Sequence, residues 1–187
     1  MKPTTIWTLD EAKGLHIHSP GLADWIAGKL HKYTPVFDLG CGKGGYLKRL
    51  DDADFLNVLG FEGTPGIKTI SLVPWNIVEF DITKEIIATE TGNVICLEVL
   101  EHIHKSDEAA VLKNIKNLCN NTLILSWAVV GQHGHGHINC QNADYVVPTI
   151  EALGFKVDWD LTREARYAAV NNGPMYFNDT LYYFKRV

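Results

Sequence analysis

The hydrophobic and polar positions of this chain follow two periods in turn. Short apolar runs of strand length are followed by segments in which apolar residues recur every three or four positions, as on one face of a helix. Strands that alternate with helices in this way are typical of a parallel sheet with crossover helices. The pattern therefore predicts an α/β chain with about seven strands and helices on both faces of the sheet.

Helix signals at the ends of these segments help to place the elements. Ser19 before Pro20 is a typical helix start, and Gly154 is a typical helix end. The last two strands are expected to form an antiparallel, hairpin-like edge. The predicted strands are 35–39, 55–61, 77–80, 93–97, 122–127, 155–161 and 181–185. The predicted helices start at 20 and after the glycine-rich turn at 40–45, and cover 84–89, 106–118 and 142–153, the last in spite of Pro148.

Composition narrows the class of protein. The chain has 187 residues, of which 46% are hydrophobic, and this suits a single domain over residues 1–187. The formal net charge is −5 and no run of Lys or Arg exceeds two, which disfavours a nucleic-acid partner. No apolar run approaches the roughly 20 residues of a membrane span. The four cysteines contain no CxxC pair, so we expect a reducing, cytoplasmic location and no membrane association.

The segment VFDLGCGKGG at 36–45 carries the strongest chemical signal. A predicted strand brings Asp38 to its carboxyl end, and Gly40, Gly42 and Gly44 follow at alternate positions. Glycines there permit positive φ angles and let a ligand approach the backbone. In an open parallel sheet, that edge is where ligands bind.

This segment resembles the first motif of class I S-adenosylmethionine-dependent methyltransferases, and the resemblance extends over roughly residues 20 to 187. It implies a Rossmann-like fold, S-adenosylmethionine as cofactor and transfer of a methyl group to an acceptor. In that family an acid after the second strand holds the ribose hydroxyls, and Glu62 matches it. An acid after the third strand contacts the adenine amine, and Asp81 matches it. The cofactor-binding residues so implied are Asp38, Gly40, Cys41, Gly42, Gly44, Glu62, Gly63, Asp81, Ile82, Leu97 and Glu98.

The motif EVLEH at 98–102 follows the fourth predicted strand and resembles a signature of small-molecule members of the family. If Glu98 opens a helical turn, Glu101 and His102 share its face. Small-RNA 2′-O-methyltransferases carry a similar motif, completed by a downstream histidine, and use it to bind a metal. Glu98, Glu101, His102 and His137 are therefore a candidate site for a divalent cation such as Mg²⁺. The alternative is that Glu98 lines the cofactor site while Glu101 and His102 make structural hydrogen bonds.

The loop GQHGHGHINCQ at 131–141 follows the fifth predicted strand, where the methyl acceptor normally lies. His133, His135 and His137 alternate with glycine, so in an extended loop all three would point the same way. One or more of them, with His137 favoured, are expected to act at the substrate site, as a general base or as the ligand that completes the metal site. The alternative is a polar loop whose imidazoles bond the backbone.

Several other residues are weaker candidates. In this family the N-terminal segment, here 1–19, often folds over the acceptor pocket. The remaining aromatic and basic candidates are equally compatible with core positions. These weaker candidates are Trp7, His16, His18, Trp127, Arg163, Arg166 and Tyr176.

Three functions remain open at this point. The first is methyl transfer to a small-molecule acceptor by O- or N-methylation, which the acidic charge favours. The second is a metal-dependent RNA or nucleotide 2′-O-methyltransferase, which the EVLEH and histidine motifs favour. The third is a non-catalytic module that binds S-adenosylmethionine.

Overall fold

The computed structural model describes residues 6–187 and folds them around a seven-stranded sheet. The strand order is β3-β2-β1-β4-β5-β7-β6, with β7 antiparallel to both neighbours and the other pairs parallel. The strands are β1 Val36–Leu39, β2 Val58–Glu62, β3 Ile77–Glu79, β4 Gly92–Cys96, β5 Cys119–Ser126, β6 Phe155–Val157 and β7 Leu181–Arg186. The order reverses at β1, so the loops after β1 and β4 diverge and leave a crevice between them.

Helices cover both faces of this sheet. Helices α2, α3 and α6 pack on one face around an apolar cluster that includes Leu22, Leu47 and Ala165. Helices α4 and α5 cover the other face, where Ile115 and Ile150 belong to a second cluster. The helices are α1 Leu9–Leu15, α2 Pro20–Lys29, α3 Gly45–Asp51, α4 Glu108–Leu118, α5 Ala143–Glu151, α6 Trp159–Asn171 and α7 Phe177–Thr180. The predicted α/β, Rossmann-like, mostly parallel sheet is confirmed.

The helix predicted over 84–89 is wrong, because a side chain from α4 satisfies this backbone in its place. The Asn114 side chain accepts a hydrogen bond from the N–H of Ile86 at 2.9 Å and donates to the carbonyl oxygens of Ile82 and Lys84 at 2.8 and 2.7 Å. A segment whose polar groups are bonded across the structure in this way does not need helical bonds of its own.

The end of the chain also differs from the prediction. Strand β6 stops at Val157, because the Asp158 carboxylate accepts a hydrogen bond from the N–H of Leu161 at 3.0 Å and caps α6. The edge is antiparallel, as predicted, but α6 and α7 separate its two strands, so it is not a hairpin. Helix α5 contains Pro148, in agreement with the prediction. Between residues 6 and 187, the structure has no helix that is both long and apolar enough for a transmembrane span.

Candidate active site

A cavity of about 640 Å³ opens at the carboxyl ends of β1, β2 and β4. Its floor is formed by the turn after β1 and by the loops after β2, β3 and β4. The histidine-rich loop and the N-terminal segment from Ile6 to His18 form its rim. The predicted cofactor residues that line it are Asp38, Gly40, Cys41, Gly42, Glu62, Gly63, Asp81, Ile82, Leu97 and Glu98.

Gly44 is the predicted cofactor residue that is not among those lining the cavity. It caps the N-terminus of α3 with φ of +81°, and a side chain there would collide with Val73. Gly42, by contrast, lies in the wall of the cavity with φ of +55°. A Cβ atom at Gly42 would lie 2.9 Å from the ring of His16, so only glycine fits there without movement.

Asp38 is the most perturbed acid in the floor of the cavity. Its side chain is 2% exposed, and its Oδ2 atom has no hydrogen-bond partner among residues 6–187. Burial, and then the nearby carboxylate of Glu62, raise the pKa of Asp38 to about 8. A buried carboxyl with an unused oxygen is a suitable partner for a cationic ligand group, which would restore its charge.

Glu62 links the second strand to the glycine turn. Its Oε2 atom accepts a hydrogen bond from the N–H of Gly42 at 2.9 Å. Its Oε1 atom accepts from the N–H and the hydroxyl of Thr64 at 2.9 and 2.8 Å. Two carboxylate oxygens can accept about four hydrogen bonds, so this acid retains capacity for a ligand hydroxyl.

Asp81 lies at the third corner of the floor. Its Oδ1 atom accepts hydrogen bonds from the N–H and the hydroxyl of Thr83 at 2.9 and 2.7 Å. These bonds fix the loop after β3, and the residue still lines the cavity.

Glu98 does not open a helical turn, which corrects the geometry assumed for the EVLEH motif. Its φ angle is +59°, and the short 3₁₀ turn begins at Leu100. Ser126 donates a hydrogen bond to the Glu98 carboxylate at 2.8 Å, and burial raises the pKa of Glu98 to about 7.

Glu101 lies behind the cavity wall and is fully buried. In the part of the chain that the structure describes, neither of its carboxylate oxygens has a hydrogen-bond partner. Burial, and then the charge of Glu98, raise the pKa of Glu101 well above its ordinary value. Burial without a hydrogen-bond partner disfavours the charged form of this carboxyl.

His102 and His137 are both held through Nδ1. His102 Nδ1 lies 3.2 Å from the carbonyl oxygen of Gly136, and His137 Nδ1 lies 3.1 Å from that of Gln132. A carbonyl oxygen only accepts hydrogen bonds, so each Nδ1 carries a hydrogen, and in the neutral form of each ring the lone pair is on Nε2. Burial lowers the pKa of His102 to about 4, so this ring is neutral at physiological pH.

Three of the four predicted metal ligands form one cluster. Glu101, His102 and His137 each contribute a ligand atom, and these atoms lie within 4.8 Å of one another. Glu98, the fourth, is hydrogen-bonded to Ser126 instead.

The histidine loop is not extended, so its three imidazoles do not point the same way. Gly131 and Gly136 have φ angles of +89° and +71°, and the chain turns at both. His133, His135 and His137 all line the cavity. However, His135 is exposed and pairs with Glu11, whereas His137 is half-buried beside His102.

The described part of the N-terminal segment lies over the cavity; residues 1–5 of the predicted cover fall outside the described residues. The ring of Trp7 stacks on His16 at 4.9 Å and meets His102 and His135 edge-on. Glu11 was not predicted as a site residue, although the capping box of Thr8 and Glu11 is a recognisable pattern that marks the start of α1.

The other weak candidates divide between the cavity and the rest of the fold. Tyr176 and His18 line the cavity. Trp127 is fully buried in the core, Arg163 is exposed beside Asp160, and Arg166 donates hydrogen bonds to backbone carbonyls near β7.

Comparison with known proteins gives structural matches alone. No family model matches the chain, and no curated protein matches it in sequence. A magnesium protoporphyrin IX methyltransferase (ChlM) from Synechocystis PCC 6803, solved with bound SAH, superposes with a TM-score of 0.65 at 18% identity over 89% of this chain and 80% of that one. The small RNA methyltransferase HEN1 gives 0.65 at 15% identity over 88% and 24% of the two chains.

A third structural match is a protein with a different activity. The [4+2]-cyclase SpnF superposes with a TM-score of 0.63 at 13% identity over 95% of this chain and 90% of that one. Proteins with this architecture therefore differ in activity, and the function must be argued from the site. The chain has the Rossmann-like fold of the S-adenosylmethionine-dependent methyltransferases.

Proposed function

We propose that the protein is an S-adenosylmethionine-dependent methyltransferase whose acceptor is a small molecule. The observation that carries the proposal is the buried carboxyl of Asp38, which has an unused oxygen at the floor of the crevice. S-adenosylmethionine carries an amino group and a sulfonium, and it therefore suits Asp38, whose Oδ2 atom accepts no hydrogen bond from residues 6–187.

Each of the three acids in the floor binds a different part of the cofactor in this proposal. Asp38 binds the amino group, Glu62 accepts hydrogen bonds from the ribose hydroxyls and Asp81 accepts one from the adenine amine. Gly42 leaves room for the ligand beside the backbone, and Glu62 holds the Gly42 N–H at 2.9 Å, so the turn is fixed before the ligand arrives. A prearranged site of this kind reduces the ordering cost of binding.

The bound cofactor supplies an electrophilic methyl group that a nucleophile displaces in line. The residues of this chain therefore need mainly to hold the acceptor and to manage its proton. His137 is the candidate general base, because its Nδ1 donates to the Gln132 carbonyl and its Nε2 keeps a free lone pair. Hydroxyl acceptors need this help most, and amines need it less.

A small acceptor is also consistent with the net charge of the chain and with the N-terminal segment that lies over the cavity. The net charge of −5 gives no attraction to a polyanion. Trp7 and His16 lie over the cavity and give it aromatic walls beside the histidine loop. Planar or ring-shaped acceptors, such as phenols and sugars, suit such walls.

Calorimetry with S-adenosylmethionine and S-adenosylhomocysteine tests the cofactor assignment. The Asp38→Asn variant keeps the shape of the side chain but loses its charge, and it should abolish measurable binding of the donor. Asp160→Asn is the matched control, because Asp160 lies on the exposed face of α6. If Asp38→Asn binds the donor as tightly as the wild type, the proposal is wrong.

Release of S-adenosylhomocysteine across a panel of hydroxyl, amine and carboxylate acceptors tests for turnover. Turnover that His137→Ala reduces, with donor affinity unchanged, supports the enzyme and its base. Tight donor binding without turnover on any acceptor would instead support a non-catalytic binding module.

A second function is favoured by the cluster of Glu101, His102 and His137. Two imidazoles and a carboxylate are suitable ligands for a divalent cation, and within residues 6–187 the oxygens of Glu101 have no hydrogen-bond partner. Such an ion would lower the pKa of an acceptor hydroxyl and so assist 2′-O-methylation of RNA or a nucleotide. The acidic net charge argues against a long RNA.

Titration of the protein with Mn²⁺ and Mg²⁺, followed by calorimetry and by the melting temperature, tests this second function. Binding that Glu101→Gln removes, together with binding of a short RNA, would favour it. If neither ion binds nor shifts the melting temperature, the cluster is a hydrogen-bonding group of the first function.

A further inference from the structure

Asn139, which lies two residues after His137 in the histidine loop, has a hydrogen-bond partner for every polar group. The residue is 5% exposed. Its N–H donates to the carbonyl oxygen of Glu101 at 2.9 Å, and its own carbonyl accepts from the Trp127 indole at 2.6 Å. Its side-chain oxygen accepts from Gln141 at 2.9 Å. A buried residue bonded on all sides has one permitted position, since any shift would leave polar groups unpaired.

The side-chain amide of Asn139 reaches the first turn of α4. Its Nδ2 donates to Glu108 Oε2 at 2.9 Å. Glu108 is itself 5% exposed, and it accepts further hydrogen bonds from the Tyr145 hydroxyl at 2.6 Å and from Lys105 at 2.9 Å. The carboxylate is thus a fixed anchor, held by α4, α5 and the chain before α4.

These contacts fix the loop close to the residues proposed for chemistry. The N–H groups of Ile138 and Asn139 both donate to the Glu101 carbonyl at 2.9 Å. On the other side of His137, the Gly136 carbonyl lies 3.2 Å from His102 Nδ1. His137 is therefore held on both sides against the turn that carries Glu101 and His102, whereas residues 133–136 are exposed.

We propose that Asn139 is a positioning residue, which acts through Glu108 to hold His137 at the acceptor side of the cavity. The inference rests on the proposed function, because it assigns a role to the loop in that site. Asn139 is not among the residues that line the cavity. Its loss should therefore affect the placement of His137 and leave cofactor binding intact.

Exchange of the amide and the carboxylate between positions 139 and 108 gives a matched set of variants. Asn139→Asp has nearly the same shape but places a second carboxylate against Glu108. In the double variant Asn139→Asp with Glu108→Gln, the Gln amide donates to the new carboxylate and restores the bond in the opposite direction. Glu108→Gln alone keeps an acceptor for Asn139 and is the control.

Hydrogen exchange and kinetics give separate readouts for these variants. Asn139→Asp should speed exchange of the backbone amides at positions 138 and 139 and lower kcat about 10- to 100-fold, as a misplaced catalytic group does. Donor affinity should stay within about twofold, a change that corresponds to less than about 0.5 kcal/mol. The double variant should recover both protection and kcat. Equal protection and turnover in wild type and Asn139→Asp, or failure of the double variant to recover them, would overturn the proposal.

Hydrogen exchange in the wild-type protein tests the anchor even if a variant does not fold. The amides of Ile138 and Asn139 should exchange much more slowly than those of residues 133–136, and equal rates would contradict the anchor. Absence of donor binding in the wild type would refute the proposed function. The hydrogen-exchange rates test the contact between Asn139 and Glu108 independently of that function.

Discussion

The carboxylate of Glu62 accepts a hydrogen bond from the N–H of Gly42 at 2.9 Å, which joins the end of β2 to the turn after β1. Both residues line the cavity. The acid proposed to hold the ribose therefore also fixes the backbone proposed to lie beside it. Loss of the Glu62 carboxylate should therefore lower the affinity for the ligand in two ways: it removes the proposed contact with the ribose, and it loosens the turn that carries Gly42.

The Glu62→Gln variant should bind S-adenosylmethionine about 10- to 100-fold more weakly, because a hydrogen bond to a charged group contributes about 1.5–3 kcal/mol. The Gln amide also presents N–H groups to a site where Gly42 and Thr64 already donate. Calorimetry measures the affinity. Glu79→Gln is the control, since the Glu79 carboxylate accepts a hydrogen bond from the N–H of Gly66 on an exposed part of the sheet edge. An equal loss in both variants would argue against a ribose contact at Glu62.

The Asp38→Asn variant should stabilise the ligand-free protein even though it removes donor binding. Burial raises the pKa of Asp38 to about 8 in the folded state from 3.8. The folded protein thus binds more protons than the unfolded chain between these values, and its stability falls as the pH rises through that window. The variant has no carboxyl at this position, so its stability should not fall in this way. The melting temperature of the variant minus that of the wild type should therefore rise from about pH 5 to about pH 8 and then level off at about 5 °C or more.

Melting curves of the two proteins without ligand across that pH range measure this advantage. Asp160→Asn, whose carboxylate is exposed, should show no such trend. An advantage of Asp38→Asn that shrinks as the pH rises would contradict the assignment of Asp38 as a buried, protonated acid.

The residues at the carboxyl ends of the strands could be predicted from the sequence because motif and topology are local there. Asp38, Glu62 and Asp81 each follow a short apolar strand, and parallel strands bring their carboxyl ends to one edge. The helix predicted over 84–89 failed for the opposite reason. Asn114, almost thirty residues away in the chain, satisfies that backbone, and no local pattern reveals this contact.

The conformation of the histidine loop could not be predicted from the sequence pattern either. Alternating Gly and His residues suggested an extended loop, but the φ angle of +71° at Gly136 turns the chain so that His137 meets His102. The left-handed conformation of Glu98 likewise depends on its tertiary contact with Ser126. Such conformations are set by packing and hydrogen bonds that a single sequence does not display.

The Gly42→Ala variant should destabilise the protein by about 1–2 kcal/mol, because an L residue at positive φ is strained. The added Cβ would also lie 2.9 Å from the ring of His16, so the N-terminal segment has to move and donor affinity should fall. Gly28→Ala is the matched control: nothing lies within 4 Å of its Cβ position, and α2 should gain about 0.5–1 kcal/mol. Urea unfolding and calorimetry measure both effects, and a Gly42→Ala protein with wild-type affinity would contradict the close approach.

The Glu11→Ala variant should loosen the cover over the cavity. Glu11 closes the capping box with Thr8 at the start of α1, and its other oxygen lies 3.0 Å from His135 Nε2. The substitution removes the acceptor of the Thr8 N–H and the exposed contact with His135, and both hold the first turn of α1 in place. We therefore expect faster hydrogen exchange in residues 9–15 and faster dissociation of S-adenosylhomocysteine. Asp10→Ala serves as control, because Asp10 pairs with Lys13 on the exposed side of the same helix. If both variants release the product at the wild-type rate, α1 does not retain the ligand, and the cover has no role beyond shielding the cavity.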